Sequence, residues 1–209
     1  MPEPHDSERN MLKDGGQPAL AALFSNYRDR LERIVTFRLD PRIRGRVDAA
    51  DVLQETFLEV SDRLPSFLAS PDVSFFVWLR QQTLQTLIDV HRREFRQKRD
   101  VNREIHFTSA GLSGGTSVSI AQFLIDQVTT PSAVAVRAEE MQWLQQALNS
   151  MNEVDREVLA LRHFEQLGNN QVAEILGLNP TAASNRYLRA AARLSEILQR
   201  LNSGSGPAS

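Results

Sequence analysis

The stretch NNQVAEILGLNPTAASNRYLRAAARL, residues 169–194, holds two apolar helical patterns separated by a three-residue break, and arginines dot the second pattern. Residues 171–176 read as a short helix with Val172, Ile175 and Leu176 on its apolar side. Gly177 can take the left-handed conformation that ends a helix, and Leu178 can fill the corner beneath the turn. Asn179 is a good N-cap, and Pro180 suits the first helical position. This is the layout of a helix-turn-helix, whose second helix can lie in the major groove of DNA. At about 100° per residue, Ala183, Tyr187, Ala190, Ala191, Leu194 and Leu198 share one face of the second helix. Thr181, Ala182, Asn185, Leu188, Arg189 and Arg193 cover the other side, with Arg186 on the flank. Asn and Arg are the side chains suited to bidentate contacts with adenine and guanine edges. The same arrangement also fits a solvated helix face in a bundle.

The rest of the chain is helical in pattern too. Of its 209 residues, 41% are apolar and 24% charged, the composition of a soluble globular protein. With no cysteine, disulfides, thiolate metal sites and cysteine catalysis are excluded. No apolar run has the length of a membrane span, and the start MPEPHDSERN is unlike a signal peptide, so the expected location is the cytoplasm, without membrane insertion. Residues 19–39 predict an amphipathic helix, residues 48–64 a second ending before Pro65, and residues 75–99 a long third. Residues 66–74 read as a loop. The run TSAGLSGGTSVS at 108–119 is small and polar, and a new helical unit starts near Pro131. The expected fold class is all-α: two small helical domains joined by a flexible linker. The boundaries are a disordered segment 1–18, a first domain 19–100, a linker 101–136, a second domain 137–201 and a tail 202–209.

The net charge of −2 would ordinarily argue against nucleic acid, yet the charges are segregated. Residues 91–103 hold six Lys/Arg against two acids, whereas residues 48–62 hold five acids and no base. Two partners of opposite charge are implied. On helix 48–64 the stripe Leu53, Phe57, Val60 and Leu64 fits the buried side, leaving Asp51, Glu55, Leu58 and Asp62 facing away. An exposed leucine within a ring of carboxylates has the composition of a protein-binding face. On helix 75–99, Val77, Leu84, Ile88 and Phe95 lie on one side, with Gln85, Asp89, Arg92, Arg96 and Trp78 opposite. Arg92, Arg93, Arg96, Lys98 and Arg99 could follow a phosphate backbone. Trp78 reads as packed between helices despite its polar-side position. His91, without a metal-spaced partner, reads as a phosphate neighbour or a surface residue.

Taken together, residues 176–194, DAADVLQETFLEV at 48–60 and FFVWLRQQTLQTLIDVHRR at 75–93 resemble the extracytoplasmic-function subfamily of sigma-70-type sigma factors. The order and spacing agree over about residues 19–99 and 137–200. The resemblance implies a factor that binds core RNA polymerase and directs promoter recognition, with no catalysis and no cofactor. Implied partners are core polymerase, through its largest-subunit coiled coil and its flap region, promoter DNA, and an anti-sigma factor. It implies core contacts at Asp51, Gln54, Glu55 and Leu58. For the −10 element it implies Phe67 and Phe75 beside a flipped base in residues 66–75, with Gln85, Arg92, Arg93 and Arg96. For the −35 element it implies Thr181, Ser184, Asn185, Arg186, Leu188, Arg189 and Arg193. Ala182, Ala183 and Asn185 stand where the family usually has Thr, Val and Ser, and Gln82, Thr83 and Gln85 replace a usual Ile-Ala and Asn. No particular promoter is therefore implied. The linker either threads into the polymerase cleft or is a tether with one short docking helix near 120–127.

Other classes fit less of the chain. There is no phosphate loop, metal-ligand cluster or nucleophile–base constellation for an enzyme. A conventional DNA-binding regulator explains residues 169–198 alone, and a helical adaptor explains the acidic face but not the arginines.

Overall fold

The apolar spacing of residues 19–39 builds a helix, but helical backbone begins well before it. The computed structural model describes residues 4–69, 73–97, 113–128 and 134–202, and the chain divides into two compact units, Met1–Arg103 and Glu104–Ser209. All regular structure among the described residues is helical.

The first unit is built from α1 (Pro4–Arg38), α2 (Ala49–Ala69) and α3 (Phe75–Gln97). α1 is bent. Gly16 has φ 54° and ψ −135°, a left-handed conformation that interrupts the helix and that glycine adopts without a Cβ penalty. A straight helix would hold residues 8 and 27 roughly 28 Å apart. Instead the Tyr27 hydroxyl donates to the Glu8 carboxylate, so residues 4–15 fold back on the arm that follows. Burial, reinforced by Glu8, pushes the Tyr27 phenol up to about 12. Leu12 is fully buried. This corrects the disordered segment expected at 1–18: one buried leucine, an acid–phenol pair and a glycine reversal order a stretch whose composition is polar. Residues 1–3 lie outside the described residues.

Leu20, Leu31, Ile34 and Val35 of α1 are buried with Leu53, Val60 and Leu64 of α2 and Phe75, Phe76, Leu79 and Leu87 of α3. Each such side chain contributes about 1.5–3 kcal/mol by leaving water. α2 does not stop before Pro65; it runs through it to Ala69. A proline there leaves the carbonyl four residues earlier, Ser61 O, without its helical N–H. The Gln17 side-chain amide supplies the missing donor at 3.0 Å.

The second unit holds α4 (Ser113–Val128), α5 (Val134–Asn149), α6 (Glu153–Leu159), α7 (Asn169–Leu176) and α8 (Pro180–Asn202). α6 is N-capped by Asn152, whose side chain accepts from the Val154 amide at 2.9 Å. It continues through a wide π turn, Ala160–Phe164, in which the Glu165 amide reaches back to Ala160 O. α4 is longer than the docking helix expected near 120–127, and it starts inside the Gly/Ser-rich run read as a boundary. Ile120 and Ile125 are buried, Thr116 donates to Glu157 at 3.2 Å, and the Phe123 and Phe164 rings meet edge-on at 4.8 Å. Packing against α5 and α6 thus overrides weak local helix propensity. Residues 101–112 and 129–133 of the linker, with Phe107 and the start expected near Pro131, lie outside the described residues, as do Lys98, Arg99, residues 70–72 and the tail from 203.

Candidate protein and nucleic-acid interfaces

α2 turns Val52, Leu53, Val60 and Leu64 inward, and Phe57 is half-buried with its ring edge-on to Phe24 at 5.1 Å. Gln54, Leu58 and Asp62 are exposed, Leu58 at 64%. The two acids expected beside them have work inside the fold. Asp51 and Asp48 form a reciprocal cap: the Asp51 amide donates to the Asp48 carboxylate at 2.9 Å, and the Asp48 amide to the Asp51 carboxylate at 3.0 Å. Glu55 accepts both terminal nitrogens of Arg93 from α3, each at 3.1 Å. That pairing keeps the Arg93 guanidinium more firmly protonated than usual. The acidic and basic faces therefore touch, which the charge runs in sequence did not suggest.

Where α2 ends and α3 begins, a pocket of about 410 Å³ is lined by Arg63, Ser66, Phe67, Val73, Trp78 and Gln82. Phe67 and Phe75, expected beside a flipped base, are both buried. Phe67 lies in the last turn of α2 at 3% exposure and Phe75 at 1%, their rings packed edge-on at 5.6 Å. Phe75 does not line the pocket; Phe67 does. The aromatic surface within reach is Trp78, half-buried and tilted over Phe67 at 4.7 Å. Arg63, Trp78 and Gln82 line this pocket without being among the expected site residues. The signal was available: Trp78 and Gln82 are one helical turn apart on α3, as are Arg63 and Phe67 on α2. Arg63 also donates to the Gln82 side chain, bracing one wall.

Further along α3, Arg92, Arg93 and Arg96 are exposed. Arg92 pairs with Asp89 at 3.4 Å, and Gln85 donates to Asp89 at 3.1 Å. His91 is neither a surface residue nor a phosphate neighbour: it is 2% exposed. Its Nε2 accepts from the Asp40 amide at 3.3 Å, and burial pushes its pKa down to about 4, against the pull of Asp40.

In the second unit the turn takes the expected form. Gly177 has φ 63°, the Leu178 amide donates to Ala173 O at 2.8 Å and the Gly177 amide to Glu174 O at 3.3 Å, the doubly bonded stop that a left-handed glycine permits. Asn179 caps α8 through the Ala182 amide at 2.8 Å, and the Asn169 amide group donates to Pro180 O at 2.8 Å, tying the two helix starts together. Ala183, Ala190 and Ile197 are buried, with Tyr187, Ala191, Leu194 and Leu198 half-buried beside them. Thr181, Ser184, Asn185, Leu188, Arg189 and Arg193 are exposed, and Asn185, Leu188 and Arg189 border a shallow depression of about 570 Å³ with Leu178, Ala182 and Arg186. Arg186, which also borders the depression, donates to Asp155 of α6 at 2.9 Å in a pair about three-quarters buried on both sides, and so holds α8 to the fold.

A helix-turn-helix with an Asn/Arg outer face in one unit and an acidic α2 against a basic α3 in the other is now matched by known proteins. The family described as Sigma-70, region 4 matches residues 141–194. The RNA polymerase sigma factor NccH of Alcaligenes xylosoxydans xylosoxydans is 30% identical over 152 residues, 73% of this chain and 74% of that protein. The chain belongs to the extracytoplasmic-function subfamily of sigma-70-type sigma factors. The ECF RNA polymerase sigma factor SigW of Bacillus subtilis is 24% identical over 193 residues, covering 91% of this chain and 94% of that one. The solved structure of CnrH in complex with the cytosolic domain of CnrY superposes with a TM-score of 0.51 at 21% identity, over 94% of this chain and 98% of that chain, a likeness of fold. As a sigma factor the chain binds core RNA polymerase and promoter DNA and directs transcription initiation. Among the described residues no helix is long and apolar enough to cross a membrane.

Proposed function

We propose how the two units divide this work. The N-terminal unit acts as region 2: Leu58 with Gln54 docks on the largest-subunit coiled coil of core polymerase, and Asp51 and Glu55 supply the acidic rim. The pocket of Arg63, Phe67, Trp78 and Gln82 takes an unstacked base of the −10 element, and Arg92, Arg93 and Arg96 follow the phosphates, with Gln85 beside them. The C-terminal unit acts as region 4: Thr181, Ser184, Asn185, Leu188 and Arg189 face the −35 major groove, Arg193 meets a phosphate, and the unit meets the flap region. The factor works in the cytoplasm and catalyses no reaction of its own. An anti-sigma factor is a further proposed partner, since the similar CnrH is in complex with the cytosolic domain of CnrY.

One observation carries this reading. A leucine exposed at 64% with Gln54 and an acidic rim beside it, on a helix whose other face is packed in the core, is an apolar anchor with a polar border, the make-up of a polymerase-docking helix. Transcription reconstituted with core polymerase and mapped for start sites tests it. Promoter-specific starts that need the chain, together with weak binding of promoter duplex by the chain alone, are expected. A chain that binds duplex tightly by itself and leaves the output of core polymerase unchanged is a conventional regulator, and the reading fails.

A further inference from the structure

α2 ends with no basic residue in its last turn, so its final carbonyls lack a local cation. The cation comes from 58 residues away. One terminal nitrogen of Arg9, on the folded-back arm of α1, donates to Phe67 O at 3.0 Å and Leu68 O at 3.4 Å. The other donates to Val73 O at 3.2 Å, on the far side of the α2–α3 connection. The guanidinium plane also lies over the Phe67 ring, 4.4 Å from its centroid. Arg9 thus joins the two described ends of that connection. Two of the residues it holds, Phe67 and Val73, line the pocket beside Trp78.

The arm is fixed for this task at two other points: Leu12 is buried and Glu8 holds the Tyr27 hydroxyl. Just past the Gly16 bend, Gln17 satisfies the Ser61 carbonyl that Pro65 leaves open. A planar fork can span three carbonyls from two nitrogens at once; a lysine ammonium in the same place is one compact charge on a flexible stem, with its donors on a single nitrogen.

We infer that Arg9 is a positioning residue for −10 recognition, setting the separation of the Phe67 and Val73 walls between which a base is held. The inference rests on the proposed assignment of this pocket to the −10 element. Arg9 itself need not touch DNA. Its removal leaves the α2 carbonyls to water and lets the two walls part, so a base of any identity is gripped less selectively.

The test uses holoenzyme assembled from core polymerase and the full chain, with Arg9→Ala, Arg9→Lys and Trp78→Ala variants. Three quantities are read: start-site selection from a library randomised in the −10 element, permanganate reactivity of −10 thymines, and preference among −35 elements. Arg9→Ala should lose about tenfold in −10 discrimination and in strand opening, on the order of one charge-assisted hydrogen bond. Its −35 preference and core co-purification should stay as they were, and Arg9→Lys should recover part of the loss. Trp78→Ala probes the pocket without touching the brace. If Trp78→Ala loses −10 discrimination while Arg9→Ala keeps it, the inference about Arg9 is overturned and the pocket assignment survives. If both keep it, the pocket assignment fails and takes the inference with it. Equal loss of −10 preference, −35 preference and core binding in Arg9→Ala, unrelieved by lysine, makes Arg9 a general fold residue and also overturns it.

Discussion

Arg93 and Glu55 form a two-point ion pair across the α2–α3 groove, each N–O distance 3.1 Å, and so join the proposed polymerase-binding face to the proposed DNA-binding face. A carboxylate that holds Arg93 in the free protein withholds that cation from phosphate. The pair is half exposed, so its own contribution to stability is at most about 1 kcal/mol. Glu55→Gln should therefore leave the melting temperature nearly unchanged and raise the affinity of the free chain for promoter duplex several-fold at low salt. Asp62→Asn, on the same helix, removes the same charge without freeing Arg93 and is the control. A gain as large in Asp62→Asn, or one that persists in Glu55→Gln with Arg93→Ala, would show that only net charge matters.

Asp51 and Leu58 lie on the same side of α2, yet removing each should have opposite consequences. Asp51 belongs to the reciprocal cap with Asp48, so Asp51→Ala should cost about 1 kcal/mol of stability. Leu58 buries little of its surface, so Leu58→Asp should melt like the parent. Co-purification with core polymerase should nonetheless fall sharply in Leu58→Asp. Retention of full core binding by that variant would remove α2 from the interface.

These two residues also show what could be read from the amino acids alone. The exposed leucine in an acidic ring is a matter of helical spacing, and so is the Gly177–Asn179 turn, where residue type dictates backbone conformation. Both were legible. The cap was equally local, Asp48-x-x-Asp51, but it was passed over in favour of a partner contact. The Arg93–Glu55, Arg186–Asp155 and Arg9–Phe67 pairings join residues 38, 31 and 58 positions apart, and no periodicity encodes them. Phe67 shows the same limit: the residue pattern ends the helix before Pro65 and puts Phe67 in a loop, because the donor that lets the helix pass Pro65 comes from Gln17, 44 positions from Ser61. Burial of His91 was hidden likewise, since its cover is the turn after α1 around Asp40.

The buried histidine gives the first unit a pH dependence of definite sign. In the native chain His91 stays neutral down to about 4, whereas in the unfolded chain it takes up a proton below its ordinary 6.5. Between those values unfolding binds a proton. The stabilisation, fully present above 6.5, is thus lost as the pH falls toward 4, at up to about 1.4 kcal/mol per unit. His91→Gln can keep an acceptor for the Asp40 amide and cannot titrate. Melting curves from about pH 7 to pH 5 should show the parent losing stability relative to His91→Gln, with Asp40 and Arg42 common to both. A gap between the two proteins that stays constant with pH would contradict the burial argument.

Three arginines of α8 should fail in three different ways. Arg186 is tied to Asp155 at 2.9 Å in a largely buried pair, so Arg186→Ala strands a carboxylate and should lower the melting temperature of the second unit before it changes any promoter preference. Arg189 is exposed one turn from Asn185 on the outer face of α8, near the helix start where base edges come within reach. A lost bidentate base contact costs about 1–3 kcal/mol of discrimination. Arg189→Ala should therefore blur the choice among −35 elements while the protein stays folded. Arg193 lies a further turn along and pairs with Glu196 at 2.8 Å, a position suited to a phosphate. Arg193→Ala should weaken all promoters alike, with the −35 preference intact and a shallower dependence on salt. Transcription from a library of randomised −35 elements, with folding checked by melting, separates the three. A folded Arg189→Ala protein with an unchanged −35 preference would mean that α8 meets the groove by a different face.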